Sequence, residues 1–563
     1  MRTARLDLLF YCKLMVLFLT SGLLSAQTTV PWDWRIVVNN GFAIPGDGRN
    51  FNSYNQPSLN VNQLVVFRAR STGGTSSGEP AHGVFTRNMA LETPLITIFD
   101  RVTNVPQPNN LDTTFVEPPS FPRIDMRSNT IASRGTHPPT WNYLLSDDTE
   151  TRAGTTGIYT NPFGDLVSGA NNLGAVPDFQ FFAVPNTGGI KFDVFPGAPA
   201  VTDGATIVFK GNHTVGLVGK TGVYYRNLTN AAIPISGGTP LAPAAGTNPS
   251  VVIADTDTFI PGTATPFGST APPSAAGRQA VFAGFDNEDA PTLGGIYLAP
   301  LNGPKPRLTP LVKIGGKVPG DKTAVFNKLG EGVSFDGRFV AFWGAWGTET
   351  KTLTLQCPSE GNKDRVAYCL QQYPYGFTTT VPLHQGIFVY DLPTGQLRAV
   401  ATAPADFDDF VYWNFSGRVP GTGESDETGE LARWRSASFV AVSGLVDGQL
   451  TDITFHVAFK ARTGQVTNGI YGNPVDGIYL RKGPGKSPIM TVVATGMDGT
   501  TIDPAAFFVD EETGSSFVLP VTEMGIERDG FRGNSLVINV SMGTDEAGWA
   551  GIYLTDVPVD LTE

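Results

Sequence analysis

A three-residue element, glycine then isoleucine or valine then an aromatic, recurs seven times in this chain and constrains its fold more than any other feature. It stands at Gly83-Val84-Phe85, Gly157-Ile158-Tyr159, Gly222-Val223-Tyr224, Gly295-Ile296-Tyr297, Gly386-Ile387-Phe388, Gly477-Ile478-Tyr479 and Gly551-Ile552-Tyr553, at intervals of 74, 65, 73, 91, 91 and 74 residues. Upstream lies a second strand-like run, as in LVVF (64–67), TIVF (206–209), AVF (280–282), FVAF (339–342), HVAF (456–459) and LVINV (536–540), while block two offers only NTIAS (129–133). After each element a third run starts the next block, as in LITIF (95–99), LVKI (311–314), LRAVAT (397–402) and MTVVAT (490–495). Short β-branched and aromatic runs bounded by turn residues read as strands. Pro-Gly pairs follow three opening runs, at Pro45-Gly46, Pro261-Gly262 and Pro319-Gly320, where proline presets φ and glycine accepts a positive one. No segment carries a long 3.6-residue apolar period, so helices are expected to be few and short.

A three- or four-stranded antiparallel sheet cannot bury both faces alone, but such sheets packed around an axis can. The chain is therefore expected to be all-β, a single β-propeller of seven blades with three to four antiparallel strands each. The phase of the repeat supports closure. Trp34-Arg35-Ile36-Val37-Val38 has no element before it, and Gly551-Ile552-Tyr553-Leu554 has no run after it. Pairing of the N- and C-terminal strands would close the ring and leave no exposed sheet edge. The expected organisation is a signal peptide at 1–26 and a propeller at 27–563, with blocks near 34–88, 92–162, 163–226, 230–299, 306–391, 395–481 and 487–556. These blocks exceed the ~40–50 residues of compact propeller repeats. The excess belongs in loops, chiefly 344–385 in block five and 404–433 in block six, where binding usually sits on a rigid ring.

Composition agrees. With 65 glycines, 43 prolines and only 16% charged residues, a coiled coil, a helical bundle or a charge-rich disordered chain is excluded. The net charge of −12, without a run of basic residues, makes nucleic acid or an acidic membrane a poor partner. Arg2, Arg5 and Lys13 precede thirteen uncharged residues, LMVLFLTSGLLSA (14–26), too short to span a bilayer but fitting a secretory leader. The protein is accordingly expected to be secreted and extracellular, with no membrane span once the leader is removed. Cys12 falls within that leader and leaves Cys357 and Cys369, read as a disulfide closing a small hairpin loop rather than as zinc ligands, of which too few are present. Acceptor triplets for glycosylation begin at Asn212, Asn227 and Asn414, and a fourth at Asn539 lies in a strand-like run.

The Asp-Gly turn before a V-x-F strand, clearest in SFDGRFVAF (334–342), resembles the TolB-type propeller repeat, and the wider pattern is similar to secreted tandem-repeat proteins of unassigned function. That resemblance implies a propeller in an extracellular setting and carries over no catalytic residues. Chemistry must be read from the residues themselves. Gly219-Lys220-Thr221 lacks the earlier glycine of a phosphate loop and leads into a strand. His82 and His384 stand just before their elements and could share one rim. Acidic clusters at Asp255 and Asp257, at Asp406, Asp408 and Asp409, at 424–430 and at 510–512 are read as solvated acidic loops, so no cofactor is expected; calcium is the alternative, although none of them matches a calcium-loop spacing. No nucleophile elbow occurs.

Rings outside the repeat, Trp343, Trp346, Tyr412 and Trp413, are the candidates for an exposed binding rim toward a glycan or an extracellular protein. The preferred reading is a non-catalytic binding or interaction module. A polysaccharide hydrolase or lyase with carboxylates at the channel mouth and a structural cell-surface or matrix component are the alternatives. Two or more carboxylates with an arginine or histidine in one concave pocket would favour catalysis.

Overall fold

A computed structural model describes residues 32–73, 79–358, 363–419, 430–444, 454–485, 487–544 and 547–558. The expected leader and residues 420–429 of the acidic block-six loop lie outside the described residues. The strand runs fold into seven antiparallel sheets arranged as a seven-bladed β-propeller. In blade 4, for example, Ser274–Ala276 lies innermost, Gln279–Phe285 second, Gly294–Pro300 third and Thr309–Lys313 outermost. The innermost strands of all seven blades touch their neighbours in a closed circuit around the axis.

The N-terminal strand Trp34–Asn39 is the outermost strand of blade 7, pairing antiparallel with Gly548–Asp556 from Trp34 opposite Thr555 to Asn39 opposite Gly551. Sequence blocks and structural blades are thus offset by one strand, because each post-element run completes the blade before it. The buried Asp503 carboxylate fastens the seam. It accepts hydrogen bonds from Asn39 Nδ2 (2.7 Å), Trp549 Nε1 (2.9 Å) and Tyr553 Oη (2.9 Å).

The repeated element now has a physical meaning. It lies on the third strand of every blade, and in all seven the pairing with the outermost strand shifts register between its second and third residues. This is a β-bulge, which sharpens the twist that wedge-shaped packing needs. In four blades the bulge brings a carbonyl of the outermost strand against the glycine, and at Gly83, Gly222 and Gly477 the ring of the element's own aromatic fills that space. A Cβ at Gly295 would lie 2.0 Å from Val312 O, and one at Gly551 2.6 Å from Val38 O. In blades 1 to 5 the aromatic then meets a ring from its own blade edge-on, as in Phe51–Phe85 (5.0 Å, 89°), Phe267–Tyr297 (5.3 Å, 89°) and Phe326–Phe388 (4.9 Å, 87°). In blade 2, where the second run looked weak in sequence, Ile131–Thr136 forms the strand.

Among the described residues one α-helix occurs, Lys363–Gln372, inside the block-five insertion. Cys369 lies on this helix and is disulfide-bonded to Cys357, with Cα atoms 5.8 Å apart, so the bridge ties a strand end to a helix rather than closing a hairpin. No helix among the described residues is long and apolar enough to cross a membrane.

Candidate functional site

Each innermost strand runs away from one face of the ring and the second strand returns to it. That face therefore carries both the connections entering the innermost strands and the turns between second and third strands. A cavity of about 500 Å³ opens there on the propeller axis, and every blade contributes the residues just before or beside its innermost strand: Asn55, 119–121, 197–198, Pro272, 331–332, 438–440 and 526–528. The volume falls in the ~300–1,000 Å³ range of small-ligand pockets.

The cavity has a charged floor. Arg123 of blade 2 is fully buried and spans the axis. Its Nε donates to Asp529 Oδ2, its Nη1 to Glu527 Oε1 at 3.1 Å and its Nη2 to Ser274 Oγ of blade 4 at 3.3 Å. Arg532 donates to the other Asp529 oxygen, and Arg528 Nε donates to Glu527 at 3.1 Å. Serines stitch the same level: Ser274 Oγ donates to Val333 O (2.6 Å) and Ser334 Oγ to Arg528 O (2.7 Å). The channel is therefore plugged by three arginines and two carboxylates and closes beneath the cavity. Burial alone would raise the Asp529 carboxyl, yet Arg123 and Arg532 hold it below the ordinary carboxylate range. Burial, with Arg123 alongside, lowers the Arg528 guanidinium.

The walls follow from the repeat register. The second-strand residue opposite the isoleucine or valine of each element is Arg68, Arg134, Lys210, Ala283, Trp343, Lys460 and Asn539 in blades 1 to 7. Four of these seven equivalent positions are basic, and Arg68 and Arg134 line the cavity. Arg68 is held by Asn55 Oδ1 (2.6 Å) and Glu117, leaving its buried Nε without a partner. Arg134 has less: Nη1 donates to Phe195 O at 3.3 Å, and its buried Nε has no partner. Burial lowers both guanidinium groups. Arg435 adds a further cation at the rim. Glu331 is solvent-accessible but crowded by the concave wall, and this desolvation raises its carboxyl.

The two long insertions meet at this mouth. The second-to-third turn of blade 5 extends the strands Phe339–Leu355 and Phe377–Asp391, whose register breaks between Trp346 and Thr350. The block-six segment forms a hairpin of Tyr412–Arg418 and Glu430–Ala437 that packs on the helix. Rings of Tyr368, Tyr373 and Phe377 meet Phe415 and Trp434 across this contact. The hairpin then delivers Arg435, Ser438 and Phe439 to the cavity.

The candidate rim rings fall differently from expectation. Trp343 is 8% exposed, donates from Nε1 to Gln385 Oε1 (3.0 Å), and holds the repeat position that is Arg68 in blade 1, so it belongs to the repeat and fills core. Tyr412 is 6% exposed, with Lys460 Nζ 4.4 Å from its ring centroid. Trp346 is half-buried and stacks on His384 at 6.0 Å, and Trp413 is half-buried against the same core as Trp343. Neither Trp343 nor Tyr412 offers an open face.

His384 Nε2 lies 2.8 Å from Glu349, while His82 is half-buried, lowered by burial, and close to Arg68 and Glu117. No group of three metal-ligating side chains occurs among the described residues. The acidic clusters cap turns: Asp255 Oδ1 accepts from Asp257 N (3.1 Å) and Thr258 Oγ1 (2.7 Å), and Asp510 Oδ1 from Glu512 N (2.8 Å). Asn227 and Asn414 are exposed, whereas Asn212 is half-buried on the second strand of blade 3. The wall cations were missed in sequence although a signal existed: a basic residue follows LVVF, NTIAS, TIVF and HVAF in four blocks.

No protein-family model matches the chain, and no curated protein sequence matches it significantly. Among solved structures, the polysaccharide lyase Uly1 aligns at 10% identity and a TM-score of 0.28, over 55% of this chain and 58% of the lyase. An α-L-arabinanase of Penicillium chrysogenum complexed with arabinobiose aligns at 11% and 0.28, over 82% and 97%. Fructan 1-exohydrolase IIa from Cichorium intybus aligns at 10% and 0.22, over 94% and 96%. At such values these similarities carry nothing about what this chain binds or does.

Proposed function

We propose that this chain is a binding module whose ligand site is the mouth of the propeller channel, framed by the block-five and block-six insertions. The observation that supports it is the convergence of all seven blades, and of Arg435 from the end of the block-six hairpin, on one closed-bottomed cavity of about 500 Å³. Of the two carboxylates lining the mouth, Glu527 is engaged by Arg123 and Arg528, so its charge serves the floor rather than a reacting atom. We take the setting to be extracellular, consistent with the Cys357–Cys369 bridge. The test replaces residues 350–382 by a short turn and, separately, fills the mouth with Ser438→Trp. Both variants are expected to keep the far-UV circular dichroism of the ring and to lose capture of extracellular glycans or proteins. Undiminished capture by Ser438→Trp would remove this reading.

The enzymatic alternative has one observation in its favour. Glu331 and Glu527 share the mouth with four arginines, and the raised carboxyl of Glu331 is what a general acid needs. If the mouth cleaves polysaccharide, Glu331→Gln abolishes turnover while leaving ligand affinity within a few-fold. An unchanged rate excludes the reading.

A further inference from the structure

We infer that the channel mouth selects an acidic oligosaccharide, a chain bearing a carboxylate or a sulfate ester. This rests on the mouth being the ligand site and names what it takes. The chain as a whole is acidic, at −12, yet the cavity is lined by four arginines, Arg68, Arg134, Arg435 and Arg528, against two glutamates, with Glu117 pairing Arg68 from behind the lining. A basic concavity in an acidic protein focuses attraction on one place.

The hydrogen-bond inventory sharpens the point. Arg134 forms no ion pair among the described residues, although the Glu117 carboxylate that pairs with Arg68 also acts on it through space, and one carbonyl, Phe195 O, is the partner its guanidinium finds. Its Nε is buried and unpartnered, as is Nε of Arg68. Arg528 donates its Nη1 to Pro272 O (2.9 Å) and shares Glu527 with Arg123, so the floor holds three arginines to two carboxylates. Desolvated guanidinium donors without acceptors are costly, and a planar oxyanion satisfies two of them in one fork. Arg134 in the wall and Arg528 on the floor are the residues placed to receive it.

A saccharide, rather than an acidic peptide, suits the rest of the lining. Ser120, Ser438 and Asn55 offer short polar groups for hydroxyls, and Phe121 and Phe439 offer apolar surface for a sugar face. The volume admits about two sugar rings, given the ~300–1,000 Å³ span of small-ligand pockets.

The experiment titrates the full-length chain with digalacturonate, with its neutral counterpart galactobiose, with sulfated galactobiose and with an acidic tetrapeptide, by isothermal calorimetry. At least one acidic disaccharide is expected to bind tenfold or more tighter than galactobiose, and the better of the two identifies the anion. Arg134→Gln should cost at least tenfold, Arg134→Lys less, and the exposed Arg278→Gln nothing, and affinity should fall as salt rises. Galactobiose binding as well as either acidic form, unaffected by Arg134→Gln but blocked by Ser438→Trp, overturns the anion preference and leaves the mouth as the site. Tighter binding of the tetrapeptide, or no binding of either acidic disaccharide, overturns the inference outright. Binding that survives Ser438→Trp overturns the mouth itself.

Discussion

His456 should make this fold lose stability in mildly acidic solution. The residue is fully buried on the second strand of blade 6, its ring 6.0 Å from that of Phe531, and neither ring nitrogen has a hydrogen-bond partner. Burial, with Lys482 adding like charge, lowers its pKa from 6.5 to about 4. The unfolded chain therefore binds a proton below pH 6.5 that the folded chain refuses until about pH 4. A folded pKa depressed in this way gives stability that is present above 6.5 and lost as pH falls toward 4. Linkage puts the loss between pH 7.5 and 5 at about 2 kcal/mol for this one residue.

His456→Leu removes both the titration and two orphaned nitrogens, so at pH 7.5 it should be neutral or stabilising by ~1 kcal/mol. Glu331 and Asp336, whose carboxyls burial raises, act in the opposite direction, so the difference between variant and wild type is what counts. Equilibrium urea unfolding at the two pH values should show the wild type losing about 2 kcal/mol more than the variant. Equal losses in both proteins would refute the reasoning.

Three further outcomes follow from the packing. Arg123→Met leaves Asp529 and Glu527 buried without their shared cation and should destabilise the ring by ~3–5 kcal/mol, whereas replacing Arg123, Glu527 and Asp529 together by apolar residues should cost less; urea midpoints distinguish the two. Asp503→Ala strips the acceptor shared by Asn39, Trp549 and Tyr553, and should release the N-terminal strand to limited proteolysis with a loss of ~2–4 kcal/mol. Gly551→Ala sets a methyl 2.6 Å from Val38 O at the same seam and should cost ~1–3 kcal/mol in thermal unfolding, while Gly548→Ala, with nothing within 4 Å, should be tolerated.

The recurrence of Gly-[Ile/Val]-aromatic determined most of the architecture by itself: all-β, seven units, and a ring closed by its first and last strands. It could do so because every blade meets the same local demands, a bulge that leaves no room for a Cβ and a ring that fills the wedge. The disulfide pair was legible for the same local reason, since two cysteines twelve positions apart have few other partners. What the glycine's neighbour carbonyl does, and that Trp343 is a repeat position rather than an exposed ring, needed the register of the sheet. The mouth could not be read from spacing, because Arg68, Arg134, Arg435 and Arg528 come from segments up to 460 residues apart and converge only when seven sheets close around an axis. The charge excess there is likewise invisible in a chain that is acidic overall. Which arginines have acceptors is a property of the folded cavity, decided by Phe195, Asn55 and Glu117 arriving from connecting segments elsewhere in the chain.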